Sequence, residues 1–112
     1  MRWYGRLRRK AEIALVRRRG RRAGSASLAA YAFEARDRRT RIAVTVGKGV
    51  GGAVVRNLVR RRIVGALEAL GGMPGAPAMV LFVAQPLAAE VSYARLASDV
   101  AGALSRLTRV RT

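Results

Sequence analysis

The sequence predicts an α+β fold: a single-domain αβ sandwich in which helices cover a small sheet. Two strand-like alternating segments and one short apolar run between breakers account for the sheet. Three segments of helical periodicity lie among them, and no linker divides the 112 residues. A chain of this length supports a core without metal or disulfide staples. At 51% hydrophobic residues it is not a disordered basic tail.

Arg6–Arg19 reads as a helix with Leu7, Ala11, Ala14 and Leu15 on one face and arginines elsewhere, and Gly20 is its stop. A basic turn follows at Arg21–Gly24. The strand at Ala26–Glu34 sets Leu28, Ala30 and Ala32 on one face, Ala29, Tyr31 and Phe33 on the other. The polar cluster Ala35–Thr40 turns the chain into a second strand, Arg41–Val46, alternating Ile42, Val44 and Val46 with Arg41, Ala43 and Thr45. A glycine turn, Gly47–Gly52, opens a helix over Ala53–Leu70. At 100° per residue, Val55, Val59, Ile63, Ala66, Leu67 and Leu70 share its inner face. Asn57, Arg60 and Arg61 fill a separate arc, with Arg56 at the seam. A Gly/Pro loop, Gly71–Pro77, precedes the strand Ala78–Ala84. The last helix starts at Ser92 as N-cap and buries Leu96, Val100, Ala103 or Leu104, and Leu107.

The charge is extreme and uneven. The 23 Lys+Arg and 6 Asp+Glu leave +17, and residues 1–62 carry +16 of it. Such a field holds polyanions, and arginine favours forked phosphate contacts and stacking on bases. Nucleic acid is therefore the expected partner. The chain has no histidine and no cysteine, which removes the usual general base, thiol nucleophiles and thiolate metal sites. Its six carboxylates, Glu12, Glu34, Asp37, Glu68, Glu90 and Asp99, are scattered without metal-ligand spacing.

Three other readings fare worse. Ala69–Ala89 is uncharged for 21 residues, long enough to cross a bilayer, but Pro74, Pro77, Pro86 and three glycines interrupt it. An Arg-rich first helix lying on anionic lipid would have a thin apolar face, with Trp3 and Tyr4 as its anchors. Gly47, Gly49 and Gly52 match a dinucleotide-binding pattern, with Glu68 21 residues beyond Gly47. That acid falls inside the predicted helix, and no room remains for a dinucleotide fold. The glycines read instead as a turn needing positive φ, whose amides and Lys48 offer a phosphate seat at a helix start. Arg56, Asn57, Arg60, Arg61 and Arg62 read either as a solvated basic face or as a cluster whose self-repulsion a polyanion relieves.

Arg41–Leu67, RIAVTVGKGVGGAVVRNLVRRRIVGAL, resembles the signature of the bacterial ribonuclease P protein subunit, with strand, turn and arginine helix in the same order. Arg6, Leu7 and Gly20 are similar to that family's first helix, Tyr31 falls in its first strand, and Ala78–Pro86 is similar to its late strand and following proline. The resemblance implies a left-handed β-α-β crossover, a rare exception to the usual hand, shared with a domain of a small-subunit ribosomal protein. It implies a subunit that binds a catalytic RNA and the single-stranded 5′ leader of precursor tRNA, assisting removal of the leader. The RNA would perform the Mg2+-dependent hydrolysis, with no metal held by protein side chains alone and no catalytic residue in the protein. Lys48, Arg56, Asn57, Arg60 and Arg61 would contact the catalytic RNA. Tyr31, Ala29, Thr45, Ile13 and Arg17 would line the leader cleft. No membrane and no obligate protein partner is expected, and the localisation implied is cytoplasmic. The alternative is a general RNA-binding or ribosome-associated module of the same fold.

The chain departs from the family pattern in places. Leu58 stands where the family has the second arginine of its Arg-Asn-Arg motif, Gly49 replaces a lysine, and Val64 replaces a usual basic residue. Ile13 and Arg17 take positions commonly held by phenylalanine. Base–aromatic stacking contributes about 1–3 kcal/mol per base, and a guanidinium on Arg17 replaces only part of it. The expected outcome is a weak leader grip. Shortening the leader of a precursor tRNA should change its affinity little, and an ordinary length dependence would contradict this.

Overall fold

Seven residues between Pro77 and Gln85 form strand β5 (Ala78–Ala84), buried at every position except the half-buried Val83. An apolar run of this kind suits a strand covered on both sides. The computed structural model describes residues 2–108 and sets β5 at the centre of a five-stranded sheet ordered β1-β4-β5-β3-β2. The other strands are β1 (Gly5–Arg6), β2 (Arg21–Gly24), β3 (Leu28–Glu34) and β4 (Arg41–Val46). β4 pairs with β5 in parallel and β3 pairs with it antiparallel, while β1 runs parallel along β4.

Three helices cover the sheet: α1 (Lys10–Arg19), α2 (Ala53–Leu70) and α3 (Tyr93–Leu107). On one face Leu28, Ala30, Ala32, Ile42, Val80 and Phe82 pack with Val59, Ile63 and Leu67 of α2 and with Leu96, Val100 and Leu104 of α3. On the other face Val16 and Ile13 of α1, with Leu7, pack with Leu81, Met79, Tyr31 and Ala43. The predicted strand alternation therefore holds, and its two faces meet different helices. Parallel β4 and β5 are joined through α2, the β-α-β unit that the resemblance implies. Ser92 caps α3 as its sequence position predicts, its side chain accepting from the Arg95 amide at 3.1 Å.

Several boundaries differ from the sequence reading. The first helix starts at Lys10, because Gly5 and Arg6 pair with Arg41 and Ile42 as a strand. Ala11 and Ala14 are exposed and Val16 is fully buried, so the helix turns a different stripe inward. The basic turn at Arg21–Gly24 is the edge strand β2, its register set by β3. β3 begins at Leu28, since Ser25–Leu28 closes a turn through the Ser25 N–H and the Leu28 carbonyl. Val55 and Leu70 are 38% and 39% exposed, leaving a shorter inner stripe on α2.

Two glycines have steric reasons. A Cβ on Gly20 would lie 2.4 Å from the Val16 carbonyl oxygen and 2.9 Å from that of Ala32, where the helix end meets β3. Within the glycine turn only Gly51 has positive φ, 156°; Gly47 and Gly52 have φ of −81° and −72°.

The chain start is anchored on α2. Trp3 Nε1 donates to the Leu67 carbonyl at 2.6 Å, and Arg2 Nε pairs with Glu68 at 2.8 Å. Trp3 and Tyr4 meet edge to face at 5.1 Å and pack against the core. They are thus committed to the fold, which removes the anchors a membrane-surface helix would need. Among the described residues no helix is long and apolar enough to cross a membrane. The Tyr4 hydroxyl is buried and has no hydrogen-bond partner among the described residues. Burial pushes its pKa above the ordinary phenol value, against the opposing pull of Arg2.

A phenol whose pKa rises on folding contributes stability below about pH 10, and that contribution is lost as pH climbs through the folded value. Tyr4→Phe removes both the orphan hydroxyl, which costs about 1–3 kcal/mol when unpaired, and this alkaline sensitivity. The variant should melt at or slightly above the parent temperature at neutral pH. Its advantage should widen above pH 10, as thermal melts across pH will read.

Candidate nucleic-acid interface

The strand β4 ends at Val46, and the chain enters the 3-10 turn Lys48–Val50 before α2 begins. Lys48 is exposed on that turn. Arg56, one turn into α2, is half-buried, and its Nη1 donates to the Gly51 carbonyl at 3.4 Å, bracing the turn. Asn57, Arg60 and Arg61 are exposed, and Arg60 Nη1 donates to Asn57 Oδ1 at 3.2 Å. The ion pairs among the described residues engage Arg2, Arg41 and Arg95. None reaches Lys48, Arg56, Arg60 or Arg61. The structure thus gathers the five candidate RNA contacts along one turn and helix start, without a neutralising acid. Beside them Leu58 is 39% exposed and Val54 83%, an apolar step within the basic arc.

The proposed leader residues lie on the α1 side of the sheet. Ile13 and Thr45 border one cleft, Ile13 half-buried and Thr45 exposed. Arg17 is exposed one turn beyond Ile13 on α1. Tyr31 is half-buried, and the Arg22 guanidinium stands over its ring at 5.9 Å. Ala29 shares their face but is only 1% exposed, set between its register partners Gly24 and Val83. It presents no surface to a ligand, because alternation dictates a face and not the depth of its cover.

The cleft has a volume of about 680 Å³. β4 supplies Ile42–Thr45 as its floor, α1 adds Ile13, and α2 adds Arg60 and Val64. Its outer wall is the N-terminal segment, through Arg2, Tyr4, Arg6, Leu7 and Arg8. Arg60 thereby joins the α2 arginines to the cleft that holds Ile13 and Thr45. Sequence reasoning misses Arg6, Arg8 and Arg22. Helical periodicity absorbs Arg6 and Arg8 into the first helix, and composition puts Arg22 in a turn. The alternation of Arg6, Leu7 and Arg8, with Leu7 3% exposed, is the available signal.

Arg41 serves the fold. Its guanidinium reaches Glu12 at 3.5 Å and Asp37 at 3.4 Å, tying α1 to the turn before β4. Among the described residues no three His, Cys, Asp or Glu gather into a group able to hold a metal. Glu68 lies in the last turns of α2 bonded to Arg2, out of reach of any ligand on the glycine turn, which disposes of the dinucleotide reading.

A sheet covered by helices on both sides, with an acid-free basic surface and an arginine-walled cleft, defines a polyanion-binding α+β domain. Comparison with known proteins narrows the class. The family model for Ribonuclease P matches residues 1–108. The ribonuclease P protein component of Acidothermus cellulolyticus is 36% identical over 108 residues, covering 95% of this chain and 90% of the relative. That of Streptomyces bikiniensis is 39% identical over 112 residues, covering 91% and 90%. The structure of the Staphylococcus aureus RNase P protein superposes with a TM-score of 0.81 at 17% identity, covering 90% of this chain and 93% of that one. The Thermotoga maritima RNase P protein gives 0.78 at 16%, covering 96% and 98%. The chain belongs to the ribonuclease P protein family.

Removing a phosphate contact lowers the dependence of log K on log salt by about one unit. Arg60→Ala and Arg61→Ala should each weaken RNA binding and reduce that slope accordingly. A slope unchanged in both variants, measured by filter binding across salt, would mean a merely solvated face.

Proposed function

We propose that this chain is the protein subunit of a ribonuclease P ribonucleoprotein, the endonuclease that matures tRNA 5′ ends. The observation that carries the reading is the shared border at Arg60. There the acid-free arc of α2 meets the cleft holding Ile13 and Thr45, in a chain of this family. In this reading Lys48, Arg56, Asn57, Arg60 and Arg61 bind the catalytic RNA. The 5′ leader of precursor tRNA runs along Ile13, Thr45, Arg17 and Tyr31, gripped as single-stranded RNA usually is, by stacking along a basic groove.

In this reading hydrolysis belongs to the catalytic RNA, and Mg2+ bound to that RNA would supply the activation of water. Among the described residues the carboxylates do not gather into a group able to hold a metal, and this reading asks none of the protein's side chains to hold one. The chain supplies positive charge where two RNA strands converge. Screening of that kind substitutes for part of the cation requirement and favours the precursor, which has a leader, over the mature tRNA, which has none. A cytoplasmic site of action accords with a tRNA-processing role.

The test is single-turnover cleavage of a precursor tRNA by a bacterial-type catalytic RNA at low Mg2+, with and without the protein. A large stimulation is expected, with no cleavage by the protein alone. Salt-sensitive RNA binding without stimulation would instead make this a general RNA-binding or ribosome-associated module, with Leu58, Gly49 and Val64 the positions to revert.

A further inference from the structure

A second group of unneutralised arginines lies at the far edge of the sheet. α1 ends in Arg17, Arg18 and Arg19, and after Gly20 the edge strand β2 opens with Arg21 and Arg22. Five guanidinium groups thus fall within six residues, and all five are exposed. α3 adds another: Arg106 Nη2 donates to the Gly24 carbonyl at 3.1 Å, while Arg21 donates to the Leu107 carbonyl. Each of those bonds uses one of five N–H donors and leaves the charge in place. No ion pair among the described residues reaches any of these arginines. The nearest acid along the pairing is Glu34, two residues beyond Arg21's partner Ala32, and it makes no ion pair among them either.

This group is separate from the α2 arc. β1 and β2 are the opposite edges of the five-stranded sheet, and four strand spacings put them about 19 Å apart. Arg17 and Arg22 border the leader path, Arg22 standing over Tyr31 on the α1 side. Arg21 turns the other way, to the end of α3. Cations therefore flank β2 on both faces of the sheet, and Arg18, Arg19, Arg21 and Arg106 lie beyond the leader residues.

We propose that this edge is a second RNA contact, which takes the phosphates of a double-stranded segment while the α2 arc and the cleft hold other parts of the RNA. The proposal goes beyond the reading above and rests on it for RNA as the duplex. Single strands are gripped by stacking on aromatic rings, duplex RNA by its phosphates and shape. Tyr31 and Phe33 belong to the layer under α1, and beyond them the edge offers no ring among the described residues. Forked guanidinium groups suit phosphates that need no base contact. A lipid surface fits less well, because the large apolar side chains that the molecule exposes lie on α2, after β5 and at the start of α3. An acidic peptide added as a strand would find four residues of edge, with Arg106 already on the Gly24 carbonyl.

Two measurements on the full chain test this. Arg18 and Arg19 make no side-chain hydrogen bond or ion pair among the described residues, so Arg18→Ala with Arg19→Ala removes charge and leaves the fold. In a chain already carrying Arg60→Ala and Arg61→Ala, this pair should lower the salt slope for a fully paired RNA hairpin by about two units and its affinity roughly tenfold. Binding of an oligouridine should change little. In an NMR titration of the parent, the Arg21 and Arg22 amides and the Arg18 and Arg19 Nε–H groups should shift with the hairpin and much less with oligouridine. An unchanged hairpin slope, or silence of these groups, overturns the proposal. So does an equal response to oligouridine, which would make the edge an extension of the leader path. A response to phosphatidylglycerol vesicles or oligoglutamate and to no RNA overturns it as well. The cleavage assay separates the two readings: stimulation with a silent β2 edge sinks the second contact alone. A hairpin response at the edge without stimulation sinks the subunit reading and keeps the contact.

Discussion

The central strand β5 sets the terms for the rest of the molecule. Its buried, almost wholly apolar side chains hold three layers together, because each face of the strand meets a different helical cover. Phe82 and Val80 enter the core under α2 and α3, and Leu81 and Met79 enter the smaller one under α1. At about 25 cal/mol per Å² of apolar area removed from water, burial of this kind is the main favourable contribution available to a chain charged to +17. The opposing self-repulsion concentrates in residues 1–62, which supply β1 to β4, α1 and the first half of α2. The second half of α2, β5 and α3 come from the nearly neutral remainder. Residues 1–62 thus supply both core side chains, such as Leu28, Ile42 and Val59, and most of the surface charge, while the central strand carries no charge.

The arginines divide by what faces them. Arg41 bridges Glu12 and Asp37, Arg21 donates to the Leu107 carbonyl at the end of α3, and Arg106 donates to the Gly24 carbonyl at 3.1 Å. Arg41 thus ties α1 and the preceding turn to β4, while Arg21 and Arg106 tie β2 to α3. Arg60, Arg61, Arg6 and Arg8 have no ion pair among the described residues, and three of them line the cleft. A cluster left unneutralised costs stability in the free protein and gains it back only against an anion. The placement of the few acids therefore matters as much as that of the cations: Glu12, Asp37, Glu68 and Asp99 all sit on structural arginines.

What is legible in the sequence follows from the range of the interactions. α3, β5 and the Val59–Leu67 part of the inner stripe of α2 express themselves through local periodicity and caps, and the structure reproduces them. β1 and β2 do not, since Gly-Arg and Arg-Arg-Ala-Gly have no strand preference of their own and exist by pairing with β4 and β3. The Lys48 to Arg61 arc is readable because it is contiguous on a turn and one helix. The cleft is half readable: Ile13 and Thr45 come through the resemblance, while Arg6, Arg8 and Arg22 depend on edge strands that leave no local signal. Ala29 fails for a related reason, its face being correct and its burial set by neighbouring strands.

The least visible element in the sequence, the chain start, is also the one that completes the site. The last carbonyls of a helix lack intrahelical donors, and Leu67 is among them in α2. Trp3 supplies the missing donor from 64 residues away. That single bond holds the segment against α2 while β1 holds it against β4, so the wall bearing Arg6 and Arg8 is fixed from both ends. A segment held so draws its rigidity from α2, the helix that also bears Arg60. Arg60 and the arginines opposite it are then parts of one mechanical unit, whose spacing the fold sets in advance of any ligand.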